Sequence, residues 1–306
     1  MATPLQYLSH PLLTQKQVTL AVLREDLLHP TIPGNKWRKL HYNLQEARTQ
    51  HAETLVTFGG AFSNHIAAVA TAGQEFGFNT VGYIRGEETV PFNPTLQHAT
   101  SCGMQLRYLS REDYRLKYEP AFQEQLLASI PNPYLLPEGG TNLLAVKGCT
   151  EIVTELQEPW DVICVAAGTG GTLAGIIAGA QGKGQIIGFP ALKGGDFLQA
   201  DVAHWLQAYS GRGYGNWELQ TGYHFGGYAK QTPELLDFIE AFYRQHQVLL
   251  DPVYTGKMLF GVFDLIEKDY FAGGTKIIAV HTGGLQGWTG FKERYRLSWP
   301  TEDLLS

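Results

Sequence analysis

Cysteine is scarce in this chain: Cys102, Cys149 and Cys164 are the three among 306 residues, and no two of them form a CxxC pair. That spacing argues against a disulfide framework and against a zinc cluster, so no metal is expected, and it suits a reducing cytoplasm. Charge is also thin, at 17% of residues, with 23 Lys and Arg against 29 Asp and Glu for a net charge of −6. The cationic residues are scattered, which leaves no basic stripe for a nucleic-acid backbone and makes nucleic acid an unexpected partner. Residues 1–16 lack a basic stretch followed by an apolar one, so no signal peptide is visible. Long apolar runs are missing as well. The nearest approach is residues 162–182, uncharged and carrying Gly171, Gly175 and Gly179 at the four-residue spacing of paired membrane helices. The cluster Gly168-Thr169-Gly170-Gly171-Thr172 cuts that run into a strand and a short helix, each below the ~20 residues a bilayer requires, so no membrane partner is expected.

Glycine, by contrast, is abundant: 35 residues, well above the usual ~7%. Such an excess points to tight turns and to places where backbone comes close to a ligand. Between these turns, short apolar runs alternate with helically spaced segments. Residues 18–23 read as a strand, and residues 36–50 as a helix with Trp37, Leu40, Leu44 and Ala47 on one face. Residues 54–58 form a buried strand ending in Gly59-Gly60, and a helix follows from Ser63-Asn64 to a stop at Gly77. The pattern continues with a strand at 80–84, a helix from Asn93-Pro94 to Gly103, a strand at 106–109 and a largely helical stretch at 113–130. Strands are expected at 134–136, 161–166, 186–189 and 276–280. Helices are expected at 172–180, 197–208, 233–247 and 256–270, with a further one running to about residue 157. Strand and helix alternation predicts α/β architecture: two open twisted, mostly parallel sheets with helices on both faces. Ligands in such folds lie beyond the carboxyl ends of the strands, so the turns at those ends are where chemistry is sought.

The most informative turn is Gly34-Asn35-Lys36-Trp37-Arg38-Lys39-Leu40, which follows a loop broken by Pro30, Pro33 and Gly34. Lys36 falls on the first turn of a helix, facing the positive end of its dipole, with Lys39 one turn further on. Both effects disfavour the charged form, and an amine that loses its proton easily is what Schiff-base chemistry requires. A solvated basic helix start is the plainer reading of the same residues. A second turn, Gly168-Thr169-Gly170-Gly171-Thr172, leads from a strand into a helix and has the form of a cradle for one phosphate. No acidic residue ends the next strand, residues 185–189, where a dinucleotide ribose would need one. Ser63-Asn64-His65 opens a helix, where an N-terminus holds a carboxylate well, although Ser63 and Asn64 also suit a plain cap and His65 a structural histidine. The turn Asp251-Pro252-Val253-Tyr254-Thr255-Gly256-Lys257 looks like a helix start capped by Thr255. His281-Thr282-Gly283-Gly284 places a hydroxyl just past a buried strand.

Taken in this order, these stretches, together with Gly227-Tyr228, resemble the fold-type II pyridoxal-phosphate enzymes, tryptophan-synthase-beta-like in fold. Within them they resemble the group of D-cysteine desulfhydrases and 1-aminocyclopropane-1-carboxylate deaminases. The resemblance implies pyridoxal 5'-phosphate as cofactor, Lys36 as the lysine that carries it, Asn64 beside its phenolic oxygen, Thr282 beside its pyridine nitrogen, and Gly168, Thr169, Gly170, Gly171 and Thr172 around its phosphate. It implies catalytic roles for Lys36, Ser63, Tyr228 and Tyr254, and a substrate site formed by Ser63, Asn64, His65, Tyr228, Tyr254 and Thr255. It further implies a homodimer of two-domain protomers, here with residues 1–38, 50–61 and 147–306 in a larger domain and 39–49 and 62–146 in a smaller inserted one. The ring-opening deaminases of the group resemble one another in carrying Glu at the position of Thr255 and Leu at that of Thr282. This chain has neither, which points to α,β-elimination from a small amino acid, D-cysteine first, giving pyruvate, ammonia and sulfide. Ring-opening deamination is the alternative within the group, and a nicotinamide-dependent oxidoreductase or a non-catalytic small-molecule-binding protein are the alternatives outside it. Residues 209–225, with Trp217, Tyr223 and Phe225, have no counterpart in the group and are expected near the substrate.

Overall fold

The structure is a computed structural model that describes residues 3–32 and 34–305; Pro33, part of the loop ahead of Lys36, lies outside the described residues. The strands, in chain order, are β1 Leu5–Tyr7, β2 Thr19–Leu23, β3 Thr54–Gly59, β4 Asn79–Arg85, β5 Gln105–Leu109, β6 Pro133–Leu136, β7 Val162–Ala167, β8 Gln185–Pro190, β9 Trp217–Leu219 and β10 Lys276–Val280. The helices are α1 Pro11–Gln15, α2 Asn35–Thr49, α3 Asn64–Phe76, α4 Pro94–Ser101, α5 Pro120–Leu127, α6 Leu143–Thr154, α7 Gly171–Ala180, α8 Leu198–Ser210, α9 Pro233–His246, α10 Thr255–Glu267 and α11 Gly287–Tyr295.

Two sheets form, one of six strands in the order β1-β2-β10-β7-β8-β9 and one of four in the order β5-β4-β3-β6. Every pairing is parallel except β1 on β2. The inner strands β2, β3, β7, β8 and β10 are largely apolar because both faces of the sheets are covered there. In the larger sheet Leu20, Val22, Cys164, Ile187 and Ala279 face the layer of α9, α10 and α11. Their neighbours in sequence, Leu23, Ile163, Val165, Ile186 and Ile278, face the layer of α6, α7 and α8. In the smaller sheet Leu55, Ile84 and Leu136 pack under α2, α3 and α4, while Val56, Phe58, Val81 and Tyr83 meet Tyr114 and Ile130 on the other side. Each such aliphatic side chain, once buried, contributes about 1.5–3 kcal/mol before entropy is counted.

Several expectations change on the structure. Residues 50–61 were expected with the larger sheet, but β3 pairs with β4 and β6 in the smaller one. A short apolar run carries no mark of which sheet it joins. Residues 113–130 are not one helix: a 3-10 turn, Asp113–Leu116, precedes α5, and Pro120 at the start of α5 marks the break. The stripe of Gly171, Gly175 and Gly179 is a helix crossing inside the protein. A Cβ on Gly175 would lie 2.7 Å from the Val146 carbonyl of α6, and one on Gly179 2.6 Å from that of Thr150. Among the described residues no helix is long and apolar enough to cross a membrane.

Candidate active site

The carboxyl ends of β3, β6, β7 and β10 open on one cavity of about 870 Å³, lined by residues of all four following turns, among them Ser63, Gly139, Gly168 and Thr282. Its floor depends on Gly34. That residue has φ 65 and no room for a Cβ, which would run into the Thr282 carbonyl. The same carbonyl accepts the Asn35 N–H at 3.3 Å, fastening the start of α2 to the turn after β10. Asn35 is fastened on a second side, its amide donating to Thr172 Oγ1 at 2.8 Å. Lys36 is thus delivered into the cavity by backbone held on both flanks.

The Lys36 amine has no hydrogen-bond acceptor among the described residues. Burial first, and the charge of Lys39 second, push its pKa down from 10.5 to about 7. The sequence pointed to the helix dipole and Lys39; burial outweighs the charge of Lys39. Lys39, one turn on, is anchored instead: its Nζ donates to Gly139 O at 2.9 Å, Thr141 Oγ1 at 3.0 Å and Thr169 Oγ1 at 3.5 Å. Burial lowers its pKa to about 8. Arg38 points away from the cavity, gripping the buried Glu25 carboxylate with two bonds of 3.0 Å and reaching Glu151 and Glu155 on the surface of α6.

Around Lys39 lies the glycine turn. Gly168, Thr169, Gly170 and Thr172 line the cavity, while Gly171 sits just outside it against Thr141. Gly170 caps α7 with no side-chain hydrogen bond, so the first-turn amides remain open to an acceptor. With the helix dipole and the Lys39 ammonium behind Thr169, this is a strongly anion-binding corner. Sequence reasoning missed Lys39 and Thr141 as parts of it. The spacing of Lys36 and Lys39 by three residues, which puts them on one helix face, was the available signal.

Opposite, Ser63 caps α3: its Oγ accepts from His65 N at 3.2 Å and Ile66 N at 3.3 Å. With its lone pairs so occupied, the Ser63 hydroxyl hydrogen is left to donate into the cavity that Ser63 and Asn64 line. His65 also touches the cavity but is 2% exposed and turned under the sheet, its Nε2 2.9 Å from Thr57 Oγ1. Thr57 spends its own hydrogen on Leu136 O, which assigns the proton to Nε2. Burial, then the charges of Lys36 and Lys39, hold the His65 pKa well below its ordinary value, so the ring is neutral.

In the 251–257 turn the N-cap residue is Tyr254, not Thr255, and the amides of the turn are taken up by Asp251. Its carboxylate accepts from Val253 N at 2.9 Å, Tyr254 N at 2.7 Å, Thr255 N at 2.8 Å and Thr255 Oγ1 at 2.6 Å. Thr255 is fully buried in that arrangement and does not line the cavity, contrary to its expected contact with substrate. Tyr254 does line it, stacked edge to face with Tyr228 at 6.0 Å and resting on Gly168. Burial raises the pKa of both phenols, Tyr254 far above its usual value, so both remain protonated donors at neutral pH. Thr282 lines the cavity with its side chain nearly buried. Residues 209–225 do not reach it: Trp217 lies in edge strand β9, Tyr223 donates to Asp264 at 2.6 Å, and Phe225 packs edge-on to Phe260 at 4.9 Å. Tyr223 and Phe225 serve the core around α10, and Trp217 the core on the α6 to α8 side.

The family model described as pyridoxal-phosphate dependent enzyme matches residues 2–283. A Pyrococcus furiosus protein provisionally named a 1-aminocyclopropane-1-carboxylate deaminase is 34% identical over 304 residues, covering 93% of this chain and 90% of its own. The mitochondrial bifunctional D-cysteine desulfhydrase/1-aminocyclopropane-1-carboxylate deaminase of Arabidopsis thaliana is 32% identical over 294 residues, covering 88% of this chain and 73% of its own. A crystal structure titled as that of an ACC deaminase homologue superposes with a TM-score of 0.83 at 28% identity, covering 96% of this chain and 93% of the other.

Proposed function

The chain belongs to the pyridoxal-phosphate-dependent enzyme family, and from that premise we propose that it is a lyase that converts D-cysteine and water to pyruvate, ammonia and sulfide by α,β-elimination. The cavity fits the cofactor. It offers one amine without a hydrogen-bond partner, Lys36, for an aldehyde. It offers an uncapped helix start with Lys39, Thr141 and Thr169 for a phosphate. Between them lies a gap bounded by Asn64 and Thr282 for a planar ring. Bound there, pyridoxal phosphate supplies an electron sink for the Cα electron pair.

This chain's own residues supply the rest. The Ser63 hydroxyl and the Asn64 N–H, which the Ser63 cap leaves free, hold the substrate carboxylate at a helix N-terminus. Lys36, which loses its proton at about pH 7, takes the proton from Cα as the free amine. Tyr254 and Tyr228, kept protonated by burial, are placed to give a hydrogen to the departing sulfur as the C–S bond breaks. Thr282, which lines the cavity, would offer the ring nitrogen a hydroxyl and no carboxylate, and an uncharged partner would leave the sink weaker and favour a substrate with a good leaving group. The observation that carries this reading is the Lys36 amine, half-buried, without a hydrogen-bond partner among the described residues and lining the same cavity as an anion cradle. The test is incubation of the holoenzyme with both enantiomers of cysteine and with the cyclopropane amino acid while pyruvate, sulfide and 2-oxobutanoate are measured. Sulfide and pyruvate in equal amounts from D-cysteine support the proposal, and 2-oxobutanoate from the cyclopropane substrate with no pyruvate or sulfide from D-cysteine refutes it.

Ring-opening deamination stands as a second reading, favoured by the names of the relatives. Since Thr255 is sealed against Asp251 rather than open to the cavity, the contrast with the deaminases rests on Thr282, where they carry Leu. A homodimer and a cytoplasmic place also belong to this proposal, on the resemblance alone, and light scattering and fractionation test them.

A further inference from the structure

Lys257 is a lysine that the proposed chemistry does not use, yet it is 2% exposed. It stands on the first turn of α10, where the dipole opposes its charge, and burial lowers its pKa to about 8 while Asp251 pulls it back up. A buried ammonium in such a place is costly unless its hydrogens are taken up. They are: Nζ donates to His224 O at 2.9 Å and to Gly227 O at 2.8 Å. Both acceptors belong to the loop that carries Tyr228. That loop holds non-glycine residues in the left-handed region on either side of the tyrosine, Phe225 at φ 50 and Ala229 at φ 51. Backbone of this kind persists only where its surroundings impose it. On the far side, Tyr295 Oη holds Ala229 O at 2.9 Å. The Tyr228 ring itself is 46% exposed at the cavity and packs edge-on to Tyr254.

We propose that Lys257 is a positioning residue that clamps the Tyr228 loop to the helix start beginning at Tyr254, so that the two phenols form one unit. Asp251, three residues earlier, accepts the Tyr254 N–H, and Thr255 and Lys257 continue the same turn. One turn therefore fixes both tyrosines, one through backbone and one through a lysine side chain. The link of this clamp to turnover rests on the proposed function, whereas the clamp itself does not.

The experiment is hydrogen exchange on the cofactor-loaded protein and on its Lys257→Met variant, together with a double-mutant cycle against Tyr228→Phe. Met keeps the length of the chain and removes the donors. Exchange across residues 226–230 is expected to quicken at least tenfold in the variant, with β7 and β10 unchanged. In pyruvate release Lys257→Met is expected to lower kcat about as far as Tyr228→Phe does, with KM within threefold, and the double variant to fall no further than the lower single one. Unchanged exchange in 226–230, or losses that simply multiply in the double variant, overturns the proposal. Should Lys257→Met not fold, Lys257→Gln, which keeps one donor, is read by the same criteria. Faster loop exchange in a protein that releases pyruvate from no amino acid supports the clamp and refutes the proposed reaction.

Discussion

Lys36 and Lys39 lie one turn apart on the same face of α2, Lys39 buried and Lys36 half-buried at the cavity wall, both with lowered pKa, yet they are used in opposite ways. Lys39 has three oxygen acceptors and stitches α2 to the loop after β6 and to the glycine turn. Lys36 has none among the described residues and is the more depressed of the two, at about 7 against about 8. A buried ammonium with its hydrogens satisfied is architecture. An amine left without an acceptor at the wall of a cavity is kept for a ligand, because no group of the fold fixes it or stabilises its charge. Lys39 in turn contributes to the state of Lys36, since its charge is the second cause of the lowered pKa.

The sharpest way to break this contrast is to remove each lysine in turn. Lys36→Ala is expected to abolish turnover, a loss on the order of a thousandfold or more, because no other group offers both attachment and proton transfer. The fold should be intact by circular dichroism. Gly34→Ala comes next. A Cβ there meets the Thr282 carbonyl at a positive φ, so a destabilisation of about 1–3 kcal/mol is expected, together with loss of bound cofactor colour, read by thermal melting and absorbance.

Lys39→Met removes donors from an otherwise buried corner. A weakening of cofactor affinity by roughly ten- to a hundredfold, or about 1.5–3 kcal/mol, is expected from losing charged hydrogen bonds. The same variant also tests the electrostatic link. The rate of cofactor attachment in the wild type should rise with pH through about 7 as Lys36 loses its proton. Without the Lys39 charge the Lys36 ammonium is less disfavoured, its pKa rises, and this limb should move to higher pH; a limb that stays or moves down contradicts the account. The smallest effect expected is that of Thr282→Leu, a shift of a few-fold in the ratio of sulfide to ring-opening product, read by parallel assays.

The lysine pair also marks what the sequence made legible. Lys36, the glycine turn, Ser63-Asn64 and Tyr254 were readable because each is a polar or flexible residue at the end of an apolar run, and the parallel sheets follow from the same alternation. Lys39 and Thr141 were not, since their roles depend on contacts across about a hundred residues or more that no local pattern encodes. Thr255 was misread for a related reason: a threonine at a helix start has the form of a cap, and only the position of the Asp251 carboxylate, four residues earlier, reveals that its hydroxyl and N–H are both turned inward. The placement of β3 in the smaller sheet likewise depends on its partners β4 and β6 rather than on its own residues.

Borohydride reduction of the yellow holoenzyme, followed by peptide mapping, tests the contrast between the two amines most directly. The account predicts bleaching, with the reduced pyridoxyl group on Lys36 and none on Lys39. Label on Lys39, or a protein that takes up pyridoxal phosphate without any covalent mark on α2, contradicts it.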